Sequence, residues 1–230
     1  MEAAFWAGIA RNVATTAETK DTGAVPVAGG YAVAVQGSDL AIALGIGTRR
    51  PLRADDLETI RSFFVQRGLP ARIEIAGDVY ERDAAILGDA GYTIEAQLAV
   101  WVRDPIAPLS PPELPPVTGL KRGVWVAAFG GALEAQAAAA LSAVRDTRGL
   151  IAGAAVAVSG DTALVLRWSG PAHGAWAESA LVAGLAMAQT RGATRALLKL
   201  PAASELAPIA LAAGFTPAEQ RYRLATKPAA

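Results

Sequence analysis

Gly153-Ala154-Ala155-Val156-Ala157-Val158-Ser159-Gly160-Asp161-Thr162-Ala163-Leu164 restates an earlier stretch, Gly30-Tyr31-Ala32-Val33-Ala34-Val35-Gln36-Gly37-Ser38-Asp39-Leu40-Ala41. Each is an apolar run, a short Gly/Ser/Asp turn and the start of a second apolar run, the pattern of a β-hairpin. Outward from this pair, Arg67-Gly68 returns as Arg191-Gly192, and Ala90-Gly91-Tyr92-Thr93 as Ala213-Gly214-Phe215-Thr216. The offset holds near 124 residues, roughly the spacing of one folding unit used twice.

The rest of the chain extends this reading. Residues 3–17 are expected to form a helix, with Phe5, Trp6 and Ile9 on one side. Residues 30–36 and 39–46 form the first hairpin. Asp55-Asp56 open a helix to about residue 66, with Leu57, Ile60 and Phe64 at helical spacing and Gly68 past its end. A strand at 71–76, a helix at 81–90 and a strand at 93–103 complete the first half. The second half is read as a short strand around Val124-Trp125-Val126 and an alanine-rich helix over 131–146. Strands at 152–158 and 162–168, a helix at 176–190, a strand at 194–200, a helix at 204–213 and a strand at 220–225 follow. Each half is therefore α/β, a mixed and mostly antiparallel sheet flanked by helices.

Between the halves lie Pro105, Pro108, Pro111, Pro112, Pro115 and Pro116. Proline cannot continue a helix or a central strand, so this stretch reads as a stiff, extended linker. The expected organisation is two domains, 1–103 and 117–230, joined by a linker at 104–116. That linker is long enough to let the closing strand of one copy pair with the sheet of the other.

Composition narrows the function. Lys+Arg and Asp+Glu both number 21, so the chain lacks the basic excess of a general nucleic-acid binder. There are no cysteines, which excludes disulfides, thiolate metal sites and cysteine nucleophiles. His173 is the single histidine, so two-histidine zinc sites are excluded and no metal is expected. No G-x-S-x-G elbow supports a serine triad. Charges at Glu2, Arg11, Glu18 and Lys20 interrupt any N-terminal apolar segment, and no stretch reads as a membrane span. A cytoplasmic protein with no membrane or nucleic-acid partner is the expectation.

The order of the second copy resembles the GNAT superfamily of acyl-CoA-dependent N-acetyltransferases. Ser169-Gly170-Pro171-Ala172-His173, a helix, Arg191-Gly192-Ala193-Thr194-Arg195-Ala196 and Ala213-Gly214-Phe215 carry the likeness. Gly68, the strand 71–76 and Ala90-Gly91-Tyr92 repeat it in the first copy. The resemblance implies two tandem GNAT-like domains, the first a degenerate scaffold and the second a site for acetyl-CoA as co-substrate. It also implies a small-molecule or peptide amine as acceptor. In the family, a strand pairs with the pantetheine arm, and the next turn and helix N-terminus meet the pyrophosphate with free N–H groups. Carried onto this sequence, the cofactor-binding residues are Trp168, Ser169, Gly170, His173, Gly174, Ala175, Trp176 and Ala177.

The sequence departs from the family at two points. The segment Ala172-His173-Gly174-Ala175-Trp176-Ala177-Glu178-Ser179 keeps a glycine but lacks the family's arginine. Ala210 stands near the place of the tyrosine that protonates the departing thiolate in many members. The alternative to an acetyltransferase is a GNAT-like ligand-binding or interaction protein that has lost the cofactor. Other polar groups have ordinary readings. Arg49, Arg50 and Arg53 form a basic loop ahead of Asp55 and Asp56, which occupy a helix start. Trp176 reads as a packing anchor, Glu178 and Glu205 as first-turn carboxylates, and Glu74, Asp78 and Tyr80 as edge or loop groups. No catalytic residue is assigned.

Overall fold

A computed structural model describes residues 1–17, 22–36, 38, 40–106, 109–117, 120–173 and 175–226. In chain order the elements are α1 Glu2–Ala17, β1 Gly23–Val27, β2 Gly30–Ala34, β3 Ala41–Leu44, α2 Ala54–Val65, β4 Arg72–Ala76, α3 Gly77–Asp89 and β5 Tyr92–Arg103. They continue with α4 Arg122–Phe129, α5 Ala132–Ala137, β6 Ala140–Asp146, β7 Gly149–Ser159, β8 Thr162–Ser169, α6 Trp176–Gln189, β9 Arg195–Pro201, α7 Ala207–Ala212 and β10 Thr216–Thr226.

The chain divides into two compact units, Met1–Leu98 with Glu219–Ala230, and Ala99–Ala218. In the first, the sheet order is β1-β2-β3-β4-β10. The β1–β2, β2–β3 and β4–β10 pairs are antiparallel and β3–β4 is parallel. Ala32, Ala34, Ala43, Ile73 and Ile75 join Leu57, Ile60 and Phe64 of α2 and Val79 and Leu87 of α3 in one core. Val33 and Ile42 alternate with them and are also buried, because α1 packs on the other side of β2 and β3. The hairpin's turn residues Gly37 and Asp39 lie outside the described residues.

In the second unit the order is β9-β8-β7-β6, with β5 beside β9. The β6–β7 and β7–β8 pairs are antiparallel and β8–β9 is parallel. Helix α6 buries nine of its residues, among them Ala177, Leu181 and Leu185, against β6, β7 and β8. Such a helix is apolar on nearly every side because it is covered on nearly every side. Helices α4 and α5 cover the other face through Trp125, Phe129 and Ala135, which cluster with Ala143 and Ala155.

Three expectations change here. Residues 124–126 are helical rather than a strand: Trp125 alone is fully buried, its Nε1 donating to the Ser142 carbonyl at 3.1 Å. The alanine-rich stretch ends its helix at Ala137, and residues 140–146 form β6. Alanine favours helix in isolation, but both faces of β6 are covered and small side chains let helices approach closely. Strand β1, absent from the sequence reading, adds an edge to the first unit.

The proline-rich stretch belongs to the second unit and is not a free spacer. Ile106 is fully buried and its N–H donates to the Thr194 carbonyl at 2.8 Å. Leu114 donates its N–H to Ser179 Oγ at 3.1 Å, and Val117 bridges to Ala143. Residues 107, 108, 118 and 119 lie outside the described ones. The last strand belongs to the first unit. Arg221 to Ala225 of β10, at the end of the second half of the sequence, pair with 72–76 of β4 in the first unit.

Candidate functional site

The geometry of the candidate site follows from where β8 and β9 stop pairing. Their parallel ladder runs from Thr162↔Arg195 to Val165↔Leu198. Both strands continue beyond it, β8 to Ser169 and β9 to Pro201. The ladder ends where β8 bulges: Val165 opposes Val156 and Arg167 opposes Ala155, so Leu166 is the inserted residue. A bulge adds local twist and re-aims the strand, which opens the β9 side of residues 166–169. Two parallel strands that part in this way leave a slot with backbone polar groups on its wall.

The turn that follows is shaped by Gly170, whose φ is 153°. A Cβ there would lie 2.7 Å from the Ala152 Cβ and 3.2 Å from the Ala177 Cβ. Only glycine lets the chain pass this close to β7 and α6. Pro171 is half-buried, Ala172 and His173 are exposed, and Gly174 lies outside the described residues. Ala175 is the N-cap of α6 and supplies no side-chain cap. The first intrahelical bond runs from the Ser179 N–H to the Ala175 carbonyl, which leaves the N–H groups of the first turn to other acceptors. Glu178 lies in that turn, half-buried and without an ion pair among the described residues.

The tryptophans fix the frame. Trp168 is buried and its Nε1 donates to the Ala177 carbonyl at 2.8 Å, which ties the end of β8 to the first turn of α6. Trp176 packs with Leu114, Val144, Ala152 and Ala180. Both indoles are therefore committed to packing, and what residue 168 offers to the open side is backbone. Ser169 Oγ is buried with no hydrogen-bond partner among the described residues. Ala210 is fully buried in the core beside Ala213 and Phe215, so no side chain at that position faces a substrate.

Two solved structures share this overall fold over most of their length. A GCN5-related N-acetyltransferase from Kribbella flavida aligns with a TM-score of 0.64 at 19% identity, covering 90% of each chain. A GCN5-related N-acetyltransferase from Sphaerobacter thermophilus aligns with a TM-score of 0.59 at 14% identity, covering 82% of this chain and 74% of its own. The chain has the GNAT fold. No protein-family model and no curated protein matches the sequence.

Within the GNAT fold, β8, the turn and α6 follow one another directly along the chain. The described cofactor candidates lie along this strand, turn and helix: Trp168 and Ser169 end β8, Gly170, His173 and Ala175 are in the turn, and Trp176 and Ala177 open α6. An uncapped helix start, a glycine that lets the backbone close in and an opened strand edge fit a pyrophosphate with a pantetheine arm. Among the described residues of this strand, turn and first helical turn, Glu178 is the one opposing charge.

In the first unit, the loop between β3 and α2 is bound to carboxylates of its own unit. Arg50 donates to both Asp56 carboxylate oxygens at 2.7 Å, and Asp56 accepts the Arg53 N–H at 2.9 Å. Asp83 accepts the Leu52 N–H at 3.1 Å and pairs with Arg82 at 2.7 Å. The hydrogen bonds from Arg50 and Arg82 hold these carboxyls below the usual range, against the burial that raises them. Glu74, read from sequence as an edge group, is fully buried and pairs with Arg221 and Arg223, each at 3.4 Å. The signal for it, a lone carboxylate inside an apolar strand, needed β10 as its partner. The first unit also has an open cleft of about 650 Å³ whose lining includes Glu2, Gly29, Arg49 and Arg221. Among the described residues no group of three or more His, Asp or Glu side chains is placed to hold a metal ion. No described helix is long and apolar enough to cross a membrane.

Proposed function

We propose that the chain is an acyl-CoA-dependent N-acyltransferase that moves an acetyl group from acetyl-CoA to an amine, acting in the cytoplasm. The observation that carries this is the parting of β8 and β9 beyond Val165↔Leu198, next to an uncapped helix start. Residues 166–169 would pair through their backbone with the pantetheine arm. The turn 170–175 and the N–H groups of Trp176, Ala177 and Glu178 would meet the pyrophosphate. Acetyl-CoA brings an activated carbonyl. A neutral amine forms the new C–N bond, the C–S bond breaks, and the amine's proton leaves with the thiolate as thiol. A strand N–H beside the bulge stabilises the oxyanion. With Ala210 in the tyrosine's place, water carries the proton, and the loss of a general acid costs ~10²–10⁴-fold in rate.

The equal order of elements in the two units, each with one parallel pair among antiparallel ones, supports duplication of one ancestral unit. On that reading the first unit is scaffold, since Asp56 and Asp83 fill its anion loop.

The test is calorimetric titration with acetyl-CoA, followed by thiol release with a panel of amines. A folded protein that binds no acetyl-CoA sinks the reading. Glu178 favours the second reading, a GNAT-like binding protein without the cofactor. If the enzyme reading holds, Glu178→Gln shifts CoA affinity by well under tenfold and costs about 0.3–1 kcal/mol of stability. Tenfold tighter binding by the variant would favour the binding protein.

A further inference from the structure

Arg167 follows the bulge directly and stands on the face opposite Trp168. Its register partner Ala155 packs with Trp125, Ala135 and Ala143, so Arg167 projects toward α4 and α5. Arg167 Nε donates to the Phe129 carbonyl at 2.8 Å, and its two amino groups make no hydrogen bond among the described residues. The Gly130-Gly131 pair between α4 and α5 makes room for it. Both glycines have φ of 69°, and a Cβ on Gly131 would lie 2.6 Å from Arg167 Cδ. Glu134 Oε2 lies beside the same point, 3.1 Å from that Cβ position, yet Arg167 forms no ion pair among the described residues. A half-buried arginine, oriented by a backbone carbonyl and left without a carboxylate, is built to receive one from outside. Ser169, two residues on and on the same face, adds a hydroxyl with no partner among the described residues.

We propose that Arg167 binds the carboxylate of the acceptor, so that the acceptor is an amino acid or another amine that carries a carboxylate. This rests on the acyltransferase reading for the word acceptor, but not for the carboxylate site itself. Two parallel N–H donors of a guanidinium fork match the two oxygens of a carboxylate. An arginine beside the opened strand edge would place the amine of such a molecule next to the slot.

The experiment is calorimetric titration of the full chain, alone and saturated with CoA. The probes are the twenty L-amino acids and the amines left by removing the carboxylate from each. At least one amino acid binds, and its decarboxylated partner binds at least tenfold more weakly. Arg167→Gln lowers amino-acid affinity at least tenfold, and Arg167→Lys is intermediate. Gly131→Ala, which keeps the charge but pushes Cδ aside, weakens amino-acid binding as well. Circular dichroism verifies that each variant is folded, and Arg167→Lys provides the comparison if another is not. The proposal is overturned if a CoA-binding wild type takes up none of the amino acids, or binds the decarboxylated amines equally well. It is also overturned if Arg167→Gln keeps amino-acid affinity. Arg167-dependent binding of amino acids by a protein that binds no CoA would remove the acyltransferase reading and leave the carboxylate site in place.

Discussion

At the scale of single residues, charges in the first unit act as structural parts. Asp56 satisfies the start of α2 through the Arg53 N–H, and Asp83 satisfies the Leu52 N–H. Hydrogen bonds from Arg50 and Arg82 depress both carboxyls. A depressed carboxylate contributes stability that is complete above its unfolded value, about 4, and is lost as pH falls through its lower native value. Urea unfolding should therefore be level from neutral pH down to about 4 and weaken below it. The Asp56→Asn, Asp83→Asn double variant should show a flatter acid limb, and an unchanged limb would place the acid sensitivity elsewhere. Glu74 carries more. Its side chain is fully buried between Arg221 and Arg223, and Arg221 also pairs with Glu2 and Glu219 at 3.0 Å each. Glu74→Ala leaves two arginines facing an empty site and should cost about 3–5 kcal/mol in urea unfolding. A loss under about 1 kcal/mol would mean that the remaining carboxylates take over.

At the scale of elements, α6 is the part on which the site depends. It lies close to the sheet because Gly184 has no side chain: a Cβ there would meet Val156 Cγ2 at 2.9 Å and Ser142 Oγ at 3.1 Å. Ser142 Oγ in turn donates to the Ala180 carbonyl at 2.6 Å, so strand and helix are stitched at the same level. Gly184→Ala gains in helix propensity by up to about 1 kcal/mol but overpacks the interface by about 1–3 kcal/mol. A net loss of thermal stability is the expected result, and a gain would show that β6 and β7 yield at no cost. Strand β6 shows why the alanines misled. The period-2 signal needs a polar face, and Ala140 and Val144 on one side and Leu141 and Ala143 on the other are all packed.

At the scale of the whole molecule, the compact units do not follow the halves of the sequence. Residues 1–103 look like one complete copy, yet β4 of the first unit pairs with residues 221–225. A fragment of residues 1–103 leaves that side of β4 open and Glu74 without its arginines. It should show no cooperative unfolding by circular dichroism, whereas the intact chain does. A cooperative transition in the fragment would show that β10 is dispensable to the first unit.

The sequence by itself determined what is local: the two hairpins, the helices α2, α3 and α6 and the glycines that end or follow them, and the strand-turn-helix that forms the candidate site. These follow from apolar period, caps and turn chemistry within about a dozen residues of each other. Only the tertiary structure decided which strand closes each unit, that the proline-rich stretch docks on the second unit, and that residues 140–146 are a strand. It alone also paired Glu74 with β10 and set Arg167 against the Phe129 carbonyl with no ion pair among the described residues. Each of these depends on a partner far along the chain, and a residue's own sequence neighbourhood carries no record of what will cover it.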